Sequence, residues 1–467
     1  MAKLMRCQYC GLLQDEPAGV KTCARCGGGL DYEDKRPAGT GLAYLQVQME
    51  LDQVAAPAGQ NVERYLLVTV RTPVKVPAGE TVPAGKQRPP LNFAAVLDTS
   101  GSMQGEKLSQ AKEAVRLAVS TLHPGDIFSL ATFSDKVDCP FKPVTVQEQT
   151  AGTVASALQG IHSGGMTALC GGLELGIENA IKTKMETNLV LLLSDGQANV
   201  GETDLEKVGQ RALHARQQGS LVSTLGVGQD YNEALMTEIA TQGGGRFYHI
   251  EHANKIPAFV AGELGEVANL AARETKLVLS IPRGATLVPL SAAYPVDQAD
   301  GQAVVSVGDI PCDTELEIPL RLALLSQKSG IKLSVEGTLE FNSPAGHEIK
   351  LPVNRVTVRF MDKTAFKLSE GMVLPVAERV FTQLKAASVL GVSRMRAAKP
   401  EEAEKKTKET LDNLRAYAEK FGKDRAEKEF IQVSENFLHF AASPMAAKQA
   451  VMDANRTQRS SKDFDKK

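Results

Sequence analysis

The chain has 467 residues, with 53 Lys and Arg against 55 Asp and Glu, 43% hydrophobic and 23% charged residues, and a net charge of −2. That length predicts two to four domains with cores of their own, and that composition excludes a disordered chain. The near-neutral balance argues against wholesale coating of nucleic acid, and 5% aromatics with no Trp argue against a stacking platform for single strands or carbohydrate. No run approaches the roughly 18 apolar residues of a membrane-spanning helix, and the start, Met1-Ala-Lys-Leu-Met-Arg-Cys7, lacks the apolar stretch of a signal peptide. A cytoplasmic protein is expected.

Cys7, Cys10, Cys23 and Cys26 form the pattern C-x2-C-x12-C-x2-C, each pair followed by a glycine, Gly11 or Gly27. Two such knuckles can bring four thiolates together tetrahedrally on one Zn2+, and the glycines let backbone amides approach the sulfurs. Disulfides would call for an export signal, and a redox CxxC for a thioredoxin-like βαβ frame. Residues 1–35 are therefore expected to be a zinc ribbon. So short a segment has no self-sufficient core, and the metal would supply its folding free energy, on the order of 10 kcal/mol. Cys139, Cys170 and Cys312 are isolated and expected as small buried apolar residues.

Alternating segments from Ala43 and Glu63 read as half-buried strands. From Leu91 to about Gly265 apolar runs alternate with amphipathic helices: strands at 91–97, 126–133, 189–193 and 221–227, with a helix at about 105–122. Helical sequence after each run predicts a parallel sheet covered on both faces. Alternation returns from Thr275 to about Phe360, as in Glu315-Leu-Glu-Ile-Pro-Leu320, and predicts antiparallel strands of a β-sandwich. The early strands find partners only there, so residues 40–85 and 270–361 are expected to form one sandwich flanking an α/β domain at 90–265. Beyond Lys363 the periodicity is helical (Pro375–Ala398, Pro400–Phe421 and Asp424–Ala442), giving a C-terminal helical region at 365–450. It should dock on the sandwich or on a partner helix, so truncation at about residue 362 should leave the α/β domain folded. The tail at 456–467 is polar enough to be disordered.

The first α/β strand ends in Asp98-Thr-Ser100-Gly-Ser102, which sets three oxygen groups on a loop at its carboxyl end. In open parallel sheets that edge is where ligands bind. A later strand, Leu191–Ser194, ends in Asp195-Gly196, and between the two lies the glycine-rich turn Gly164-Gly-Met-Thr167. Two carboxylates and three hydroxyls make a hard, all-oxygen set suited to Mg2+ or Mn2+.

These three segments resemble the metal-ion-dependent adhesion site (MIDAS) of the von Willebrand factor A (vWA) domain, with Asp98, Ser100 and Ser102 as its DxSxS loop, Thr167 as its threonine and Asp195 as its later aspartate. The resemblance covers roughly residues 90–265 and implies a Rossmann-like, doubly wound, mostly parallel α/β fold. It implies further that Ser100, Ser102 and Thr167 contact the ion directly or through one water, that Asp98 and Asp195 hold its waters, and that one position stays open for a partner's carboxylate. The flanking strands and Gly243-Gly-Gly-Arg-Phe-Tyr-His249 give a wider, looser resemblance to bacterial vWA proteins and to inter-α-trypsin inhibitor heavy chains, which assigns no partner.

Other chemistries fail on specific residues. A haloacid-dehalogenase phosphatase needs a second Asp where Ser100 stands; there is no Walker A motif, no G-x-S-x-G elbow and no HExxH. His249-Ile-Glu251-His252 reads as a surface turn between strand and helix. The expected function is a non-enzymatic intracellular scaffold that captures an acidic residue of a partner protein through Mg2+. The alternative is a nucleic-acid-associated protein using the zinc ribbon and the C-terminal helices, which carry 21 basic against 16 acidic residues over 361–467. Interleaving of Lys405, Lys406 and Lys408 with Glu401, Glu402, Glu404 and Glu409 reads more simply as a solvated helix face.

Overall fold

The computed structural model describes residues 3–6, 13–16, 44–76, 90–369, 373–419 and 444–459. Cys7, Cys10, Cys23 and Cys26, and the helix expected at 424–442, lie outside the described residues. Near the start, β1 (Lys3–Arg6) and β2 (Leu13–Glu16) pair antiparallel. The chain divides into two compact units.

The first unit holds residues 1–80, 271–385 and 411–433. Its strands are β3 (Gln46–Leu51), β4 (Ala55–Pro57) and β5 (Val62–Arg71), then, after the second unit's segment, β12 (Leu270–Ser280), β13 (Thr286–Pro289), β14 (Val296–Ala299), β15 (Gln302–Pro311), β16 (Glu315–Leu324), β17 (Lys332–Asn342) and β18 (Glu348–Met361). One sheet runs β14-β15-β12-β17-β18-β4 and the other β13-β16-β5-β3. The early strands do pair late: β5 lies antiparallel to β16 from Val62↔Leu324 to Arg71↔Glu315. Alternation sends Leu66, Val68, Leu320 and Leu322 from one sheet, and Leu279 and Leu339 from the other, into a common core in which each is at most 1% exposed. Each such side chain contributes about 1.5–3 kcal/mol of burial.

The second unit holds residues 81–270, 386–410 and 434–467. It contains β6 (Leu91–Asp98), α1 (Glu106–Thr121), β7 (Ile127–Phe133), β8 (Val137–Thr145), α2 (Thr150–Gln159), α3 (Leu169–Lys182), β9 (Thr187–Ser194), α4 (Leu205–Gln217), β10 (Leu221–Val227), α5 (Glu233–Gln242), β11 (Gly244–Ile250) and α6 (Ile256–Ala268). The sheet order is β11-β10-β9-β6-β7-β8. All neighbours are parallel except β7 and β8. Every residue of β6, β7 and β9 is buried, as apolar runs covered on both faces require. β6 is followed by β7 on one side and neighbours β9 on the other, so the winding reverses between β6 and β9. Their carboxyl ends frame the crevice in which such folds bind ligands.

Two elements of this sheet differ from expectation. β7 is followed by an antiparallel strand, β8, and not by a helix, because Ser134 to Lys136 turn the chain straight back, with the Ser134 amide bonded to the Lys136 carbonyl at 2.9 Å. Gly244 to Ile250 form a buried edge strand, so His249 is 4% exposed and belongs to a strand interior, not to a surface turn.

After β18 come α7 (Lys363–Leu368), α8 (Leu374–Ala398), α9 (Pro400–Ala418) and α10 (Pro444–Arg459). Asp362 caps α7 by accepting from the Thr364 and Ala365 amides. The helical region does not dock on the strands of the first unit alone: α10 packs in the second unit, along β11. There the Phe247 amide donates to Asn455 Oδ1 at 3.4 Å and the His249 amide to Met452 Sδ at 3.2 Å, and Arg459 donates to the Gly244 carbonyl. Edge-strand amides need partners, and Asn455 and Met452 of α10 accept from two of them. For the same reason Arg456 to Arg459, expected within a disordered tail, form the last turn of a docked helix in which Gln458 is 3% exposed. Truncation at residue 362 would strip this cover from the α/β unit.

Candidate functional site

Asp98 ends β6 and Ser194 ends β9, and the parallel register that pairs Leu97 with Leu193 brings these ends side by side. The Ser194 hydroxyl donates to Asp98 Oδ2, while Asp98 Oδ1 accepts from the Ser100 amide at 2.8 Å. The chain then makes one 3-10 turn, Gly101–Met103, anchored by the fully buried Met103. That turn brings Ser102 back beside Ser100, with their hydroxyls 3.1 Å apart. The Ser102 hydroxyl donates to Asp195 Oδ1 at 2.7 Å. Loops after two adjacent strands thus meet through their oxygen groups.

The glycine-rich turn locks onto the same loop. The Gly101 amide donates to the Gly165 carbonyl at 3.1 Å, and the Gly164 amide to the Thr99 carbonyl at 2.8 Å. Gly165 has φ +79°, a backbone conformation that glycine adopts without strain and other residues rarely do. Asn199 accepts from the Thr167 amide at 2.8 Å and donates its own amide to the Thr167 carbonyl at 3.1 Å. Thr167 is held from both sides of its backbone. At Gly196 a Cβ would lie 3.1 Å from Thr167 Oγ1 and 3.5 Å from Ser102 Oγ, so both hydroxyls border one small space that this glycine keeps open.

All five residues singled out in the sequence therefore stand around one crevice. Asp98 and Asp195 are fully buried, Ser100 is 2% and Thr167 4% exposed. Burial pushes the Asp98 carboxyl above its ordinary range; hydrogen bonds from Ser100 and Ser194 oppose that, and the charge of Asp195 adds to it. Two buried carboxylates sharing a crevice call for a cation. The Lys107 ammonium, in contact with Asp195 Oδ2, stands where positive charge is wanted. A donor set of two carboxylates and three hydroxyls fits a hard divalent ion. Among the described residues no group of three or more His, Cys, Asp or Glu converges, so this set differs from a Cys- or His-rich metal centre. Sequence reading missed Ser194, Asn199 and Lys107. Only Ser194, adjacent to Asp195, carried a signal that could have found it.

Residues 92–261 match the family profile described as von Willebrand factor type A domain. The chain carries a vWA domain. The chain is 27% identical over 311 residues to YfbK of Escherichia coli, a match that covers 64% of this chain and 52% of YfbK. It is 28% identical over 235 residues to inter-alpha-trypsin inhibitor heavy chain H3 of Mus musculus, covering 48% of this chain and 26% of that protein. The chain thus spans about half or less of the length of these relatives. A solved structure, the von Willebrand factor type A protein from Catenulispora acidiphila, has the same fold over 81% of this chain and 87% of that one, with a TM-score of 0.62 at 17% identity. The vWA domain lies wholly within the second unit. Among the described residues no helix is long and apolar enough to cross a membrane.

Proposed function

We propose that the vWA domain is a non-enzymatic protein-interaction module in which Asp98, Ser100, Ser102, Thr167 and Asp195 hold Mg2+ or Mn2+. When bound, the ion supplies a Lewis-acidic position for a carboxylate of the partner protein. The observation that carries the reading is the Ser100–Ser102–Asp195 chain of contacts, at 3.1 and 2.7 Å, which joins the loops after β6 and β9 over a buried carboxylate pair. Fixed hydroxyls and buried carboxylates preorganise such a site, because the ordering is complete before a ligand arrives. The residues that hold Thr167 and Asp98 in turn, Asn199 and Ser194, support the geometry from behind.

We further infer an intracellular scaffold in which the two sheets of the first unit form a β-sandwich. Cys139 and Cys170 carry thiols outside any disulfide, which suits a reducing compartment. At the N-terminus, Cys7, Cys10, Cys23 and Cys26 would hold one Zn2+ in a ribbon. Purified protein should then carry about one zinc per chain, and Cys23→Ser should release it. Protein purified without chelator that contains no zinc would refute the ribbon.

For the vWA domain the test is capture of a binding partner with and without EDTA, using Asp98→Ala as control. Asp98→Ala removes a carboxylate at a strand end, and partner affinity should fall roughly 10–100-fold. EDTA should cause the same loss, and Mg2+ or Mn2+ should restore it. A partner that binds wild type, Asp98→Ala and EDTA-treated protein equally places recognition elsewhere.

A further inference from the structure

Lys107 occupies the first turn of α1, directly after Glu106, where a cation opposes the helix macrodipole. Local preference therefore does not account for it. Its ammonium contacts Asp195 Oδ2, and the Asp195 side chain is fully buried while that of Lys107 is 29% exposed. The end of the same side chain lies over Gly228, just past β10, where a Cβ would meet Lys107 Cε and Nζ at 3.5 Å. One residue thus reaches from α1 to the carboxyl ends of β9 and β10. The second Asp195 oxygen accepts from Ser102, and Asp98 is held by the Ser100 amide and the Ser194 hydroxyl. Neither Asp98 contact brings a charge.

We infer that Lys107 is a resident cation that competes with the divalent ion for Asp195, setting the affinity of the site and stabilising the loops when no ion is bound. This rests on the reading of the five residues as a metal site. Two cations drawn to the same buried carboxylate repel each other at a few ångströms by more than thermal energy. An incoming ion must either displace Lys107, whose partial exposure leaves it a path to solvent, or bind beside it against that repulsion. Either way Lys107 weakens the metal. Without the ion, the same ammonium removes the penalty of leaving Asp195 buried and unpaired.

Full-length wild type, Lys107→Gln, Lys107→Arg and Asp98→Ala would be titrated with Mn2+ by calorimetry and melted in EDTA and in saturating Mn2+. Lys107→Gln should bind Mn2+ roughly tenfold tighter than wild type, since one positive charge a few ångströms away is gone. It should also melt lower than wild type in EDTA, with the gap closing in Mn2+. Lys107→Arg keeps the charge and should stay within about threefold of wild type. If Lys107→Gln is unfolded in EDTA, recovery on adding Mn2+ supports the inference, and failure to recover overturns it. Equal or weaker Mn2+ affinity in Lys107→Gln, or an unchanged melting temperature in EDTA, overturns it while leaving the metal site intact. Wild type that takes up no Mn2+ and matches Asp98→Ala removes the metal site itself, and the inference with it.

Discussion

The two edges of the vWA sheet are protected in opposite ways. At one end, β8 is largely exposed along its length and carries Pro140 and Pro143. Both prolines fall where the β7–β8 register shifts, between the pairs Thr132↔Asp138 and Leu130↔Phe141 and between Leu130↔Phe141 and Phe128↔Val144. A proline at a bulge removes a donor from an open edge and bends the strand, which discourages pairing with another chain. At the other end β11 is buried throughout and is closed by α10, whose Asn455 and Met452 accept from its amides. One edge is guarded by local sequence and the other by a segment some 200 residues further along. Only the first kind of protection is visible in a short stretch of sequence.

Deleting α10 tests this contrast most severely. Removal of residues 444–467 takes away Val451, Met452, Ala447 and Ala454, each at most 7% exposed. It also removes Lys448, which donates to the Tyr231 carbonyl at 2.7 Å and to Glu233 at 2.8 Å. The vWA unit should lose roughly 3–5 kcal/mol in urea unfolding and begin to self-associate through β11. Unchanged stability would mean that the helix is an ornament on an edge that needs no cover.

A smaller effect is expected from pH. His249 Nδ1 meets the Tyr231 hydroxyl at 2.7 Å, and its Nε2 lies 3.3 Å from Met445 Sδ. Burial lowers its pKa below the ordinary value of 6.5; the Lys448 charge adds to this, and Glu251 and Glu233 oppose it. The folded state thus resists a proton that the unfolded state accepts. The stability contributed by neutral His249 is complete above about pH 6.5 and is lost as pH falls from there through the lowered folded value. Unfolding followed from pH 8 to pH 5 should show that slope, and His249→Gln should flatten it. An identical slope in the variant would assign the acid sensitivity to other groups.

The smallest change is predicted at the open edge. Pro140→Val with Pro143→Val restores two donors on β8, and should alter stability by less than about 1 kcal/mol while raising self-association in sedimentation. Sedimentation identical to wild type would show that the prolines have no protective role.

The same contrast explains what could be read from the sequence. β6, β9 and β10 announce themselves as apolar runs because both their faces are buried, and four of the five site residues follow because Asp98 and Asp195 stand at the ends of β6 and β9 and Ser100 and Ser102 lie within four residues of Asp98. β8 is hidden because its prolines and polar residues resemble a loop, and β11 because Gly244-Gly245 open it. α10 buries Lys448, Asn455 and Gln458 to 3% or less, so hydrophobic periodicity understates its contact face. Lys107 escaped notice for a related reason: a lysine beside a glutamate on a helix reads as solvated, and only the fold brings Asp195 beneath it.

The pairing of β5 with β16 bears on the order in which the chain acquires its structure. Leu66 and Leu320 are register partners, yet the whole vWA segment is synthesised between them. At a translation rate of about 5–20 residues per second, β5 waits on the order of 10–50 s for its neighbour to emerge. During that interval β3 can pair with one edge of β5 while the edge that β16 later occupies stays open. The long sequence separation makes this sheet late to assemble, and it leaves one edge of β5 unpaired while the chain is being made.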